Sequence, residues 1–510
     1  LENNSVLEII AHGAWNGGTL MDNREYVDRG MVFKGDIPVN PETIESRIGV
    51  RTRMKAPEDE RIGLAALENL LDVSDLDPTR IKLIVGATNV GDDKYEVGPL
   101  IEHPFNRLRA LCPDAMAMDL YAGCPGFNVS VELVFMLSLS GVLKKDDLTV
   151  IIGAENIHRA RAFRSTDTAN IIFGDDALAT ALQTRATCRP RGNELRSEPK
   201  SLPFDAGYLD SVARTLLEMT ESEQLDGIIV DNQLGKIQYR VPATTAWLQQ
   251  RLTELRFPAE TEAGTFSKFT NALSFYNEHV RSFAFDIRSL ERRPDTVHNV
   301  ARAYIESGKQ RAVASVYLDP QADIEITIHR GKGYSFQPPP AGVIDTITST
   351  HGCFGSYIQA DVEENDVFGE MNGKGVFLYA TRGAGQHLER MLAPNGLAID
   401  DLELLIEHQA NFAMIPMTLQ NLFKDHKADP ALAVKEFIAD KMVMNIHTRG
   451  NCSVVCMQRL PYDLERGTLQ PDTIQGFPIN RNIERLQKAK LILFDSVGAG
   501  MTRSSFIYKK

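Results

Sequence analysis

The chain has 510 residues, 43% of them hydrophobic and 24% charged, with a formal net charge of −13, so it can bury a sizeable core and is long for one domain. That acidity excludes a general nucleic-acid binder, which would concentrate lysine and arginine on one face. No run of about 18 apolar residues occurs, no basic region followed by an apolar stretch opens the sequence, and the six cysteines form no zinc-type pair. These features predict a cytoplasmic protein with reduced thiols, no metal and no membrane span.

From Val6 the chain reads as a strand, an irregular segment, a helix from Arg61 to Leu71, a strand from Ile81 to Ala87 and a helical stretch from Arg107 to Leu111. Ala115 to Leu120 is short enough for a buried strand, and Val129 to Leu139 has helix-length apolar content. Gly123-Cys124-Pro125-Gly126 between them is therefore a strand-to-helix turn. Proline just inside a helix start loses only an N–H that would have been unpaired, and the glycines permit a sharp turn and close approach to a ligand. Cys124 then sits at the positive end of a helix, a position predicted to lower its pKa and favour the nucleophilic thiolate; a structural, buried cysteine is the competing reading. Leu148 to Gly153 is a further strand, and strands alternating with helices imply βαβ units in a mixed or parallel sheet.

The segment from 187 to about 365 contains landmarks of the first half. Leu225 to Val230 parallels Ile81 to Val85, Ser282 to Ile287 parallels Ala115 to Leu120, and Gly308 follows Asp286 by the same 22 residues that separate Gly141 from Asp119. Shared landmarks of this kind predict duplicated supersecondary structure. Glu291 stands where the copy would need its Cys124, so a structural or docking role is expected there. Arg251 to Arg256 and Arg288 to Arg293 could dock an acidic carrier protein or be solvated helix faces.

Beyond residue 365 the reading is a helix from Gly375 to Leu392, a strand from Leu402 to Ile406 leading into His408-Gln409-Ala410-Asn411, then Gly450-Asn451, and a strand from Leu491 to Asp495 leading into Gly498-Ala499-Gly500. One cysteine, one histidine and one asparagine, far apart in sequence, make the constellation expected of cysteine-based acyl transfer.

These motifs, with Glu45-Ser46-Arg47-Ile48-Gly49-Val50-Arg51 and Asn170-Ile171-Ile172-Phe173-Gly174-Asp175-Asp176-Ala177, resemble the thiolase-fold condensing enzymes, most closely β-ketoacyl-acyl-carrier-protein synthase III. The resemblance implies an α/β, thiolase-like fold of two βαβ-type halves, residues 1–186 and 366–510, with residues 187–365 as an inserted, degenerate half-thiolase-like α/β segment. It implies no cofactor. It further implies that Cys124 accepts an acyl group, that the N–H groups of Cys124 and Ala499 form the oxyanion hole, and that His408 and Asn451 hold a malonyl thioester carbonyl during decarboxylative Claisen condensation. Arg47 and Asn411 are carried over as substrate-site residues, Asn411 as a supporting one. Where synthase III has a tryptophan and an arginine around the adenine of coenzyme A, this chain has Thr43 and Thr168, which favours an acyl-carrier protein over coenzyme A as donor. In the family two protomers commonly pair through their first halves, so either a homodimer or an intramolecular pseudo-dimer, with residues 200 to 335 packed on the first half, is expected. An acyltransferase or cyclising ketosynthase would use the same cysteine, and a non-catalytic partner subunit would need none of the three residues.

Overall fold

In the computed structural model the described residues are 5–33, 37–90, 100, 102–158, 162–164, 167–187, 195–221, 223–234, 243–332, 336–363, 366–425 and 427–510. The strands of the two large sheets are numbered here in chain order. The first sheet contains β1 (Leu7–Ala14), β2 (Ile81–Ala87), β3 (Met116–Tyr121), β4 (Leu148–Glu155), β5 (Asp176–Thr184), β6 (Arg196–Leu202), β7 (Gly227–Asn232), β8 (Phe283–Ser289), β9 (Ala312–Leu318) and β10 (Ile324–Arg330). The second contains β11 (Gly342–Thr350), β12 (Leu404–Glu407), β13 (Leu491–Gly498) and β14 (Thr502–Lys509).

The ten strands run β1-β5-β4-β2-β3-β8-β7-β9-β10-β6. From the seam between β3 and β8 outward, the first five follow the order 3, 2, 4, 5, 1 and the second five the order 8, 7, 9, 10, 6, the same path displaced by five strands. At the seam the strands are antiparallel, with Leu120 opposite Ile287 and Asp119 opposite Arg288. The four-stranded sheet, ordered β11-β14-β13-β12, follows the path of β1-β5-β4-β2, and an isolated parallel bridge from Leu405 to Met442 lies where a counterpart of β3 would pair.

The helix after β3, α1 (Gly126–Ser140), is buried at every residue. Its sequence is apolar all round, as a helix enclosed between layers must be. It packs between the first sheet and β11, β13 and β14, and across the seam against α2 (Pro294–Glu306). Phe283, Phe285, Val297 and Tyr304 from the second five-strand unit share one continuous core with Leu120, Val131 and Phe135 from the first. The described residues between 196 and 330 are thus neither a helical appendage nor a solvent-facing arm. Glu291, opposite in the pattern to Cys124, is exposed and near Arg293.

Several boundaries differ from the sequence reading. The stretch expected from Arg107 to Leu111 is a helix at Glu102–Leu108. The helix expected from Gly375 to Leu392 is two, Gly373–Arg382 and Ala384–Leu392. β11 lies inside the expected insertion but pairs with β14, where Val343 and Ile344 are buried and complete the C-terminal sheet. The outer edge strand β6 is exposed and carries Pro199 and Lys200, features that discourage further strand pairing. Among the described residues no helix is long and apolar enough to cross a membrane.

Candidate active site

Cys124 occupies the turn between β3 and α1, one residue before the helix N-cap at Pro125. The turn is closed by the Gly126 N–H donating to the Gly123 carbonyl (2.9 Å). Against it lies the turn after β13. A Cβ on Gly498 would come within 2.4 Å of the Cys124 backbone N, and one on Gly123, where φ is +69°, within 2.5 Å of the Ala499 backbone N. Two glycines therefore let two backbones touch, which brings the main chains of Cys124 and Ala499 to one spot.

His408 follows β12, and its N–H donates to the Asp495 carbonyl (2.9 Å), extending the ladder of β12 with β13. Its side chain is buried, neither ring nitrogen has a hydrogen-bond partner among the described residues, and burial pushes the ring down to about 3, helped by the Arg503 charge. The imidazole is neutral at physiological pH. One ring nitrogen is then a free donor and the other a free acceptor.

Asn451 is fixed through its main chain, its N–H donating to Ile172 (2.8 Å) and its carbonyl accepting from Gly174 (3.0 Å). Its Oδ1 accepts from the Ser453 N–H (2.8 Å), which turns the amide so that Nδ2 is left to donate elsewhere. Gln409 joins the two motifs. Its Oε1 accepts from the N–H groups of Asn445 (3.1 Å) and Ile446 (2.9 Å), and its Nε2 donates to Val443 (2.8 Å), so the residue beside His408 holds the segment that leads into Asn451. Its N–H also reaches Cys456 Sγ (3.5 Å).

Cys124 is enclosed but not sealed, and it lines an apolar cavity of about 80 Å³ together with Val90, Ile157, Phe163, Phe173, Met371 and Ala499. The stacked rings of Phe163 and Phe173, 5.3 Å between centroids, form one wall. The hairpin of Ile358–Glu363 with Asp366–Met371 forms another, close enough that a Cβ on Gly369 would meet the Phe163 ring at 2.6 Å. His408 and Asn451 are not on this wall.

The expectation of a lowered Cys124 pKa is corrected. Burial pushes the thiol up to about 12, with the Ser453 hydroxyl pulling down and the nearby Glu155 carboxyl pushing further up. A helix N-terminus offers the equivalent of about half a charge, and here enclosure outweighs it.

Arg47 is exposed at the end of the helix Pro41–Ile48, its guanidinium 5.4 Å from the Phe33 ring centroid, and does not border the cavity. Thr43 is spent on a capping box with Asn40, and Thr168 begins a short 3-10 turn. Asn411 shapes the start of the helix Met414–Phe423, with Oδ1 accepting from the Ala413 N–H (3.0 Å). Sequence reasoning missed three residues that touch the site. Ser453, held at a positive φ of 50°, places its hydroxyl 3.4 Å from Cys124 Sγ. Asn89 Nδ2 donates both to that hydroxyl (2.9 Å) and to Glu155 Oε1 (2.7 Å). Glu155, wholly buried at the end of β4, is pushed up to about 7 by burial. The usable signals were an acidic residue ending an apolar strand and a serine two positions beyond Asn451.

No protein-family model matches the chain. In sequence it is similar to β-ketoacyl-[acyl-carrier-protein] synthase III of Thermosynechococcus vestitus, 30% identical over 165 residues, which is 32% of this chain and 47% of that protein. The enzyme of the same name from Helicobacter pylori is 26% identical over 232 residues, covering 41% of this chain and 61% of that one. The chain thus spans about half the length of the curated relatives it matches. In structure it is similar to 3-oxoacyl-[acyl-carrier-protein] synthase III from Aquifex aeolicus, with TM-score 0.53, 15% identity and coverage of 99% of this chain and 100% of that one. Xanthomonas campestris OleA E117A gives TM-score 0.51 at 10% identity, covering 99% and 98%. The fold is thiolase-like α/β.

Proposed function

We propose that the protein is a condensing enzyme that takes an acyl group onto Cys124 and joins it to a malonyl thioester. The observation that carries this reading is the contact of the Gly123-Cys124 and Gly498-Ala499 turns at the mouth of an apolar cavity. The thiol sulfur attacks the donor thioester carbonyl, the developing oxyanion takes hydrogen bonds from the N–H groups of Cys124 and Ala499, and the carrier leaves as its thiol. The acyl chain lies in the cavity between Phe163, Phe173 and Met371. In the second half, neutral His408 and the Nδ2 of Asn451 donate to the malonyl thioester carbonyl. Carbon dioxide leaves, the resulting enolate carbon attacks the Cys124 thioester, and the β-ketoacyl thioester departs as Cys124 is expelled as its thiolate, which takes a proton from water.

With Thr43 in a cap and Thr168 in a turn, neither supplies a flat partner for adenine, which favours an acyl-carrier protein as donor. We infer also that residues 187–365 hold a degenerate copy of the first half, which takes the place of a second subunit along β3. An acyltransferase that passes the same acyl group to a different acceptor shares every step through Cys124.

The deciding experiment mixes the protein with a panel of acyl-carrier and acyl-coenzyme A donors and reads intact mass, followed by product analysis with malonyl-carrier. Acyl mass on Cys124 and a β-ketoacyl product are expected. Absence of acyl mass with every donor would leave a non-catalytic subunit, and acyl mass without condensation would leave the acyltransferase.

A further inference from the structure

The mechanism above needs somewhere for the Cys124 proton to go, and the resting thiol is a poor source of thiolate. His408 does not meet the need: its ring is held as a weak base, and the hydrogen-bond partner of Sγ is Ser453, not His408. Ser453 adopts a left-handed backbone conformation, which costs a non-glycine residue of order 1 kcal/mol and clusters at functional sites. The strain is held by the Ser453 N–H on Asn451 Oδ1 and by Asn89 Nδ2 on the hydroxyl. The hydroxyl therefore sits between Cys124 Sγ and Glu155. Glu155 Oε1 is occupied by the N–H (2.9 Å) and Nδ2 (2.7 Å) of Asn89, while Oε2 is buried without a hydrogen-bond partner among the described residues.

We propose that Glu155 is the base that accepts the Cys124 proton, passed through the Ser453 hydroxyl. This deepens the reading of Cys124 as nucleophile and rests on it. A serine hydroxyl has one donor and two acceptor sites and turns freely. At rest its oxygen accepts from Asn89 Nδ2 and its hydrogen lies on Cys124 Sγ; for the transfer the hydroxyl turns, so that its oxygen takes the thiol proton and its own hydrogen goes to Glu155 Oε2. As the sulfur attacks the acyl carbonyl, the thiol proton moves to Ser453 Oγ, the serine proton moves to Oε2, and one negative charge passes from the carboxylate to the developing oxyanion. When the carrier sulfur leaves it takes the proton back along the same path, so carboxylate, hydroxyl and carrier thiol are restored. Burial brings Glu155 to about 7, where a general base works best near neutral pH.

Among the described residues, the other groups facing Glu155 leave this pair isolated. Asn89 and Val90 come from the segment after β2, and Ser453 from the segment before Cys456–Glu465. On β5 its register partner is Asp176, whose carboxylate is taken by Arg459 at 2.5 Å, with Arg449 at 3.7 Å. Cys124 is the titratable group in electrostatic contact with it.

The test needs no knowledge of the substrate. The rate of Cys124 alkylation by iodoacetamide is followed by peptide mass from pH 5.5 to 9 on the full chain. The relay predicts a wild-type rate that rises with an inflection near pH 7. It predicts loss of that inflection and a rate about tenfold or more lower at pH 7.5 in both Glu155→Gln and Ser453→Ala, general-base contributions running about 10²–10⁴-fold at full strength. Ser453→Thr, which keeps the hydroxyl, restores the inflection. A Glu155 that is only a neighbouring charge gives the opposite sign. Removing it then relieves repulsion of the thiolate, and Glu155→Gln alkylates faster, which overturns the proposal. A wild-type profile in Ser453→Ala overturns it as well, and this variant decides the matter if Glu155→Gln does not fold. An intact pH signature with no acyl loading from any donor would sink the ketosynthase reading and leave the relay standing.

Discussion

Gly498→Ala tests whether the two touching turns set the geometry of catalysis. The added methyl would lie 2.4 Å from the Cys124 backbone N, 2.7 Å from Pro125 Cδ and 2.9 Å from Cys124 Cβ. Ordinary carbon contacts lie near 3.5 Å and beyond, so one turn must retreat by about 1 Å. Neither has slack, because the opposing atoms belong to main chain and a proline ring rather than to a flexible side chain. Overpacking of this kind costs about 1–3 kcal/mol of stability. A 1 Å misplacement costs about 10²-fold in rate, and loss of one oxyanion donor costs about 10²–10³-fold. Taking the lower figure, acyl loading of Cys124 slows about 100-fold, equivalent to about 2.7 kcal/mol of barrier, with donor KM little changed. The assay is single-turnover acylation read by intact mass, beside a thermal melt to verify folding. Gly373→Ala is the control, since a Cβ there meets nothing within 4 Å, and it should load at the wild-type rate. A folded Gly498→Ala that loads within threefold of wild type would refute the assignment of the Ala499 turn to the oxyanion.

Cys124→Ala should fold and take no acyl mass; continued loading would transfer the role to another thiol. Asn451→Ala should keep much of the acyl loading while malonyl decarboxylation falls about 10²–10³-fold, and equal loss of both half-reactions would contradict the division of labour with Cys124. Gln409→Ala removes the acceptor of two buried N–H groups and should lower stability by about 1–3 kcal/mol per unsatisfied group, with condensation impaired more than loading; an unchanged melt would show that the segment before Asn451 is held by other means. Sedimentation should give a single species near the 56.7 kDa chain mass, whereas a stable dimer would mean that another face replaces the occupied β3 edge.

Legibility followed the range of the interactions. The turn around Cys124 could be read because its determinants are local: an apolar strand, two glycines, a proline and an apolar helix in consecutive sequence. The proposed duplication was legible for a similar reason, since Asp119 and Asp286 both lie within buried strands and both use the carboxylate to hold the segment after a neighbouring strand, Asp119 accepting from the Leu100 N–H and Asp286 from Thr244 and Thr245. The resting state of Cys124 could not be read. Its pKa depends on Glu155 and Ser453, which reach it from the end of β4 and from a segment 329 residues downstream, and on enclosure that the paired strands Ile358–Glu363 and Asp366–Met371 help to complete. Local sequence shows the helix dipole and hides the burial that opposes it. Ser453 was hidden for a further reason, because a positive φ outside glycine has no sequence marker.

The strand order suggests why a copy without a nucleophile would persist. β3 ends at the Cys124 turn, and its outer edge needs a partner both to satisfy its backbone groups and to keep the turn rigid. A second molecule could supply that strand only in proportion to its concentration, whereas a strand in the same chain is present at a high effective concentration whatever the dilution. Once β8 fills the edge from within, the requirement on the copy is geometric: buried residues such as Phe285 and Ile287 at the seam, α2 against α1, and polar strand β6 closing the far side. Nothing in that requirement protects a thiol at position 291, where the glutamate faces solvent instead of a cavity. On the duplication we propose, the copy is then free to lose its chemistry while its packing is held, and the order 8, 7, 9, 10, 6 is the part that packing needs.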